Sequence, residues 1–115
     1  MKTELEDRTV EFALRAIRFV ETFPKTQTGW IIGRQLLRSA TSIGANYREA
    51  SRAESKDDFI HKIGIAEKEA AETEYWLLIC QRAPLGSAPE ALLDESRQLI
   101  AILSAIGRKT KNRLQ

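Results

Sequence analysis

The chain has 115 residues, 43% of them hydrophobic and 30% charged, with only three Pro and six Gly. This length and composition are typical of one globular domain, and they disfavour a loop-rich or all-β chain. The net charge of +2 is too small to indicate nucleic-acid or membrane binding without knowing how the charges are distributed.

The first predicted helix runs from about residue 7 to residue 23 and stops before Pro24. It carries two apolar rows at helical spacing, and we expect the first row to face the core. The second row either widens that buried face or packs against another subunit. The first row is Val10, Ala13, Leu14, Ile17 and Val20, and the second is Phe12, Ala16, Phe19 and Phe23.

The second predicted helix spans about residues 28 to 52 and contains many small side chains. Each Gly inside a helix costs about 1 kcal/mol relative to Ala, so Gly33 and Gly44 need compensation. We expect a neighbouring backbone to approach them closely, and a kink near Gly44 is the alternative. The apolar stripe of this helix is Ile32, Leu36, Ala40, Ile43, Tyr47 and Ala50.

Two capping patterns mark the remaining helices. Ser55, followed by Asp58, predicts a third helix from Lys56 to about residue 82, and Ser87, followed by Glu90, predicts a fourth over about residues 88 to 110. Four amphipathic helices joined by short turns predict an all-α, antiparallel, up-down-up-down four-helix bundle that forms a single domain. The expected core positions are Phe59, Ile63, Ala66, Ala70, Thr73, Leu77, Cys80, Leu92, Ser96, Leu99, Leu103 and Ile106.

Several apolar residues fall outside the stripes that we expect to be buried. A monomer rarely leaves a large contiguous apolar patch in water, so we predict that the chain assembles with copies of itself. The residues predicted to form the oligomer interface are Phe12, Phe19, Ile65, Trp76 and Ile79.

The sequence contains no catalytic or metal-binding pattern. One histidine, His61, and one cysteine, Cys80, exclude an internal disulfide framework, a structural zinc site and a di-iron bundle site with paired Glu-x-x-His motifs. They lie roughly 28 Å apart along one predicted helix, too far for a nucleophilic pair within one chain. We therefore predict a protein that is not an enzyme and has no metal and no cofactor.

Nothing in the sequence predicts a membrane segment. The longest apolar run, from Tyr75 to Cys80, is far shorter than the ~20 residues that a membrane span needs. The acidic start is unlike a signal peptide. We expect a soluble, cytoplasmic protein without a membrane partner.

Charge is distributed unevenly between the second and third helices. Residues 54 to 74 contain seven carboxylates and three lysines, whereas residues 34 to 52 have a net charge of +3. Arginines suit phosphate oxygens, so a row of them on the second helix is a candidate RNA-binding surface. The alternative is a solvated face, or one paired with carboxylates of the third helix. The row is Arg34, Arg38, Arg48 and Arg52.

Parts of the second and third helices resemble a known family. The segments Arg38–Ala50, Phe59–Ala66 and Glu72–Leu77 are similar to bacterial four-helix bundle proteins known from intervening sequences of 23S ribosomal RNA genes. The similarity spans nearly the whole chain, but Ala50 replaces the family's usual Gly and Glu69 its usual Ser. The matching positions are Arg38, Ser42, Ile43, Asn46, Glu49, Phe59, Ile65, Ala66, Glu72 and Leu77.

The resemblance implies a four-helix bundle that assembles as a ring-like homopentamer and has no known enzymatic activity. A similar branch comprises accessory proteins of diversity-generating retroelements, which bind a reverse transcriptase and present a basic surface to nucleic acid. Two hypotheses follow. The protein is either a non-enzymatic oligomer that associates with RNA through the arginine row, or a scaffold that recruits another protein, such as a reverse transcriptase.

Overall fold

The computed structural model describes residues 4–113, which form four helices and no strand. Successive helices are antiparallel neighbours, and α2 packs between α1 and α3 while α4 packs mainly on α3. The predicted up-down-up-down four-helix bundle is confirmed. The helices are α1 (Glu4–Val20), α2 (Gln27–Ala50), α3 (Lys56–Arg82) and α4 (Glu90–Arg113).

Side-chain caps begin two of these helices. The hydroxyl of Thr26 accepts a hydrogen bond from the backbone N–H of Gly29, and the hydroxyl of Ser55 accepts one from Asp58, which confirms the predicted start of α3. Helix α1 begins at Glu4 and not at residue 7, and α4 begins at Glu90, two residues after the start predicted from Ser87, and continues to Arg113. Two predicted ends lie too far along the chain. Helix α1 stops at Val20, before the expected residue 23, and α2 stops at Ala50, so that Arg52 lies in the following turn.

The two apolar rows of α1 exchange the roles that the sequence predicts for them. Phe12 is 1% exposed and Phe19 is 5% exposed, whereas Val10 is 55% and Leu14 is 43% exposed. The prediction that the Val10 row faces the core is therefore wrong, and so is the assignment of Phe12 and Phe19 to an outer, intersubunit surface. The physical reason is size, because burying aromatic rings removes more apolar area from water than burying Val and Leu.

The other helices bury the stripes that the sequence predicts. In α2, α3 and α4 most predicted core positions are buried, while Phe59, Ile106, Ile32 and Tyr47 pack against the core from its margin. The buried predicted positions are Leu36, Ala40, Ile43, Ala50, Ile63, Ala66, Ala70, Thr73, Leu77, Cys80, Leu92, Ser96, Leu99 and Leu103.

Helix α1 approaches α2 closely at two glycines. A Cβ atom added to Gly44 would lie 2.8 Å from the hydroxyl oxygen of Thr9, and one added to Gly33 would lie 2.9 Å from Cγ1 of Val20. The predicted approach of a neighbouring backbone is confirmed at Gly44, where the carbonyl carbon of Thr9 would lie 3.6 Å from the added Cβ, whereas at Gly33 the neighbours are the side chains of Val20 and Phe23. Helix α2 continues as one unbroken helix through both positions, and the close packing offsets the helix propensity lost at each glycine.

Candidate nucleic-acid interface

The predicted arginine row lies on the outer side of α2, and one of its members is already engaged. Nη1 of Arg38 lies 3.3 Å from an Oε atom of Glu69, and Nη2 also donates to Glu72, so Arg38 ties α2 to α3. The sequence left open that the row pairs with carboxylates of the third helix. That alternative is correct for Arg38.

Glu72 is held from two sides. The indole Nε1 of Trp76 donates to an Oε atom of Glu72 at 3.0 Å, and Arg38 donates to the same carboxylate. These two hydrogen bonds, that of Trp76 first, lower the pKa of Glu72, and its carboxylate in turn raises the pKa of Arg38. Next to this network the buried hydroxyls of Ser39 and Thr73 lie 2.9 Å apart and join α2 and α3. We therefore assign Arg38 a structural role, because its hydrogen bonds fix the register of α2 against α3.

A second carboxylate is held in the same way between α1 and α4. Nε and Nη2 of Arg8 donate to the two carboxylate oxygens of Glu95 at 2.7 and 2.8 Å. The hydrogen bonds from Arg8 lower the pKa of Glu95. This bidentate pair closes the side of the bundle where the first and last helices meet.

The depressed pKa values of Glu72 and Glu95 predict a defined acid sensitivity. A carboxylate whose pKa falls on folding stabilises the folded state above its ordinary pKa of 4.5, and this contribution is lost as the pH falls through the lower, folded pKa. We expect the free energy of unfolding of the variant Glu72→Gln/Glu95→Gln to fall less between pH 6 and pH 3 than that of the wild type. Urea titrations at each pH measure this, and parallel pH profiles for the two proteins would contradict it.

The other three arginines of the row, unlike Arg38, are not held by carboxylates. The side chains of Arg34, Arg48 and Arg52 are exposed, and within residues 4–113 none of them forms an ion pair with a carboxylate. The acidic residue beside the row, Glu49, accepts from Nζ of Lys62 on α3 at 3.0 Å. Arg34 and Arg48 are fourteen residues apart, or about 21 Å along the axis of α2.

The middle of this surface is open because its side chains are short. Thr41 and Ala45 are exposed between Arg34 and Arg48, and the hydroxyl of Thr41 is turned back to the backbone carbonyl of Leu37. These short side chains leave a gap along α2 beside Arg38, and at the Arg48 end two carboxylates of α1, Glu6 and Asp7, line a small depression together with Arg48. We call Arg34, Thr41, Ala45 and Arg48 the arginine face, with Arg52 at its end.

Three of the predicted interface residues lie on the α3 side of the arginine face. Ile65 and Ile79 are half-buried and lie outside the core cluster, whereas Trp76 packs against the core with part of its ring and donates to Glu72. The most exposed large apolar side chains of the described residues lie at other positions than the predicted interface. These are Val10, Leu14, Ile17, Trp30, Ile31 and Tyr75.

A groove of about 420 Å³ opens between the end of α1 and the start of α2. Ile17, Val20, Phe23, Trp30 and Leu37 provide its apolar lining, and Trp30, at its lip, is 63% exposed. Three charged side chains also line it. These are Glu21, Lys25 and Arg34. We call this depression the corner groove, and the sequence did not predict it.

The described residues were compared with the requirements of a membrane-spanning helix and of a metal site. None of the helices in residues 4–113 is both long enough and apolar enough to span a membrane. In the same range no group of three or more His, Cys, Asp or Glu side chains is arranged to hold a metal ion.

Comparison with known proteins identifies the family. The model of the 23S rRNA-intervening sequence protein family matches residues 1–106 of the chain. The chain belongs to this family. A crystal structure of a protein of unknown function from the S23 ribosomal protein family of Bacteroides thetaiotaomicron VPI-5482 is 39% identical and superposes with a TM-score of 0.82, covering 89% of this chain and 96% of that one. No curated protein matches the chain.

In this member of the 23S rRNA-intervening sequence protein family, several motif positions form the contact between α2 and α3. Arg38 and Glu72 pair directly and Glu49 pairs with Lys62, whereas the amide of Asn46 donates to the backbone carbonyl of Ser42 within α2. Glu69, which departs from the family pattern, adds a further acceptor for Arg38. The motif that carries the resemblance is thus largely structural, and the free arginines lie beside it.

Proposed function

We propose that this protein is a non-enzymatic, cytoplasmic, homo-oligomeric RNA-binding protein and that the arginine face of α2 contacts the RNA backbone. The observation that carries the proposal is that Arg34 and Arg48 are exposed and form no ion pair with a carboxylate within residues 4–113. Guanidinium groups bind phosphate through two parallel hydrogen bonds, and three cations on one surface provide affinity without reading a sequence.

Assembly would strengthen this surface. A single chain offers Arg34, Arg48 and Arg52, which is little charge for a stable complex at physiological salt. A homopentamer, the assembly that the resemblance to the family implies, would repeat the arginine face five times around one axis. The repeated charges would then act together on one polyanion.

Replacing the three free arginines tests the proposal. We expect Arg34→Gln/Arg48→Gln/Arg52→Gln to weaken binding to single-stranded RNA and to lower the slope of log K against log salt concentration by about 2 for each bound protomer, because each lost phosphate contact removes about 0.7 from that slope. Fluorescence anisotropy with a labelled RNA at several salt concentrations measures both quantities.

The matched control carries the same charge change on other surfaces. Lys68, Arg82 and Lys109 are exposed on α3 and α4 and, like the free arginines, form no ion pair among the described side chains, so Lys68→Gln/Arg82→Gln/Lys109→Gln removes three charges and leaves the arginine face intact. We expect this control to retain most of the affinity. Equal affinities and slopes for the two triple variants would eliminate the arginine face as the RNA-binding surface.

The second candidate function is that of a scaffold that recruits another protein, for example a reverse transcriptase. It is favoured by Trp30 and Tyr75, which are 63% and 55% exposed and are large apolar anchors of the kind found at protein interfaces. A partner that binds equally well to the wild type and to the variant without free arginines would support this function over RNA binding.

A further inference from the structure

Arg38 interrupts the row of free arginines on α2. Arg34 lies four residues before it and Arg48 ten residues after it, about 6 and 15 Å along the helix axis. The side chain of Arg38 is 49% exposed, so a ligand on the outer side of α2 can reach it. If its donors were available, phosphate contacts would follow α2 at shorter intervals than the ~21 Å between Arg34 and Arg48.

The two carboxylates that hold Arg38 do so differently. Glu72 accepts from Nη2 of Arg38 and also from the indole of Trp76, so it belongs to the network that joins α2 and α3. Glu69 lies 3.3 Å from Nη1 of Arg38, which is long for a charged pair, and among the described side chains Arg38 is its only hydrogen-bond donor. Glu72 therefore positions the guanidinium, whereas Glu69 occupies one of its donors.

The contact between Arg38 and Glu69 adds little to the stability of the fold. Its hydrogen bond is long and Arg38 is half exposed, and ion pairs of this kind contribute little to the free energy of unfolding. The bond from Arg38 to Glu72 and the buried hydrogen bond between Ser39 and Thr73 lie beside it. The register of α2 against α3 is therefore maintained without the charge of Glu69.

The carboxylate of Glu69 is placed to compete with a phosphate of RNA. A phosphate oxygen that accepted from Nη1 of Arg38 would replace the Oε atom of Glu69 and would remain close to its carboxylate, where like charges repel. Because Glu69 is part of the same chain, its effective concentration beside Arg38 does not depend on the RNA concentration. Arg34, by contrast, forms no ion pair within residues 4–113, so a phosphate has no bound carboxylate to displace there.

We infer that Glu69 limits the affinity of the arginine face for polyanions by withholding Arg38, which becomes a fourth phosphate-binding residue once residue 69 is neutral. The inference rests on the RNA-binding surface in the proposed function and names a residue that sets its strength. Glu72 keeps its bond to Nη2, so the released guanidinium stays on the outer side of α2 with Nη1 available to a phosphate.

Neutralising Glu69 tests the inference. Glu69→Gln keeps the size of the side chain and an oxygen that can accept from Arg38, and it removes the charge that opposes a phosphate. We expect this variant to bind single-stranded RNA about threefold to tenfold more tightly than the wild type, with a slope of log K against log salt concentration that is steeper by about 0.7 for each bound protomer. Fluorescence anisotropy with a labelled RNA at several salt concentrations measures both quantities.

The matched control makes the same charge change elsewhere on the same helix. Glu67 is two residues from Glu69, which places it about 160° away around α3, and it forms no ion pair within residues 4–113. We expect Glu67→Gln to bind RNA within about twofold of the wild type, because salt screens a charge that does not face the bound RNA.

Removing both members of the pair shows whether the gain depends on Arg38. Arg38→Gln/Glu69→Gln leaves the net charge unchanged, and we expect its affinity to return to that of the wild type. Because Arg38 also ties α2 to α3, circular dichroism and thermal melting establish that this variant is folded before RNA is added. The comparison of Glu69→Gln with Glu67→Gln does not depend on the folding of the double variant.

The outcomes separate this inference from the proposed function. Equal affinities of Glu69→Gln and Glu67→Gln, or a double variant that binds as tightly as Glu69→Gln alone, would overturn the role of Glu69, even if the variant without free arginines loses RNA binding. Loss of RNA binding by the control triple variant as much as by the arginine-face variant would overturn the proposed function, even if Glu69→Gln binds more tightly than the wild type.

Discussion

Phe12→Ala is expected to lower the free energy of unfolding by about 3–5 kcal/mol. The ring of Phe12 is 1% exposed and belongs to the core cluster, so its removal forfeits apolar burial and leaves a cavity that the surrounding helices fill only in part. Urea unfolding followed by circular dichroism measures the loss.

Leu14→Ala is the matched control on the other row of the same helix. Leu14 is 43% exposed, so we expect a loss of about 1 kcal/mol or less. Both variants are compared with the wild type at low protein concentration, where association between copies contributes least to stability. A Leu14 variant as damaging as the Phe12 variant would show that the core face of α1 is the row that the sequence predicts.

Gly86→Ala is expected to destabilise the protein by about 2–5 kcal/mol. Gly86 has a φ of +76°, where an L side chain costs about 1–2 kcal/mol. A Cβ atom at this position would also lie 2.7 Å from ring atoms of both Phe19 and Phe23, and such overpacking costs about 1–3 kcal/mol. The turn between α3 and α4 closes over these rings and cannot retreat without exposing them.

The neighbouring turn residue provides the opposite substitution. Ala88 has a φ of 56° without being glycine and is exposed, so Ala88→Gly removes the strain of that conformation. We expect Ala88→Gly to leave the melting temperature unchanged or raise it slightly, while Gly86→Ala lowers it. If both variants have the same melting temperature as the wild type, the turn does not need a glycine at residue 86.

The sequence predicted the fold well because several local signals agree. Ser55 begins α3 through its hydroxyl as predicted, and period-3.6 apolar stripes mark the buried faces of α2, α3 and α4. When caps, turns and stripes favour the same four helices, few other arrangements of the chain can bury the same residues.

The wrong prediction for the buried row of α1 shows what local sequence signals cannot decide. Both rows of α1 are apolar at helical spacing, so periodicity cannot decide which one is buried. The decision depends on tertiary contacts, here the approach of Thr9 to Gly44 and the packing of Phe19 against Gly86. A comparison of side-chain size would have pointed to the row of Phe12 and Phe19.

The candidate site was predicted in part. Charge spacing found the arginine row, but it could not separate Arg38 from Arg34 and Arg48, because that difference depends on which side chains of α3 lie within reach. The corner groove could not be predicted, since it is a space between the end of α1, the turn that follows it and the start of α2. Such a space depends on the relative placement of helices, which no local pattern in the sequence specifies.

Photocross-linking from the centre of the arginine face tests the central claim most directly. A p-benzoylphenylalanine placed at Ala45 lies between Arg34 and Arg48, and the same residue placed at Ala101 lies on the exposed face of α4. On irradiation with bound single-stranded RNA, we predict cross-links to the RNA from position 45 and few or none from position 101. Equal cross-linking from the two positions, or cross-linking from position 101 alone, would contradict RNA binding by the outer face of α2.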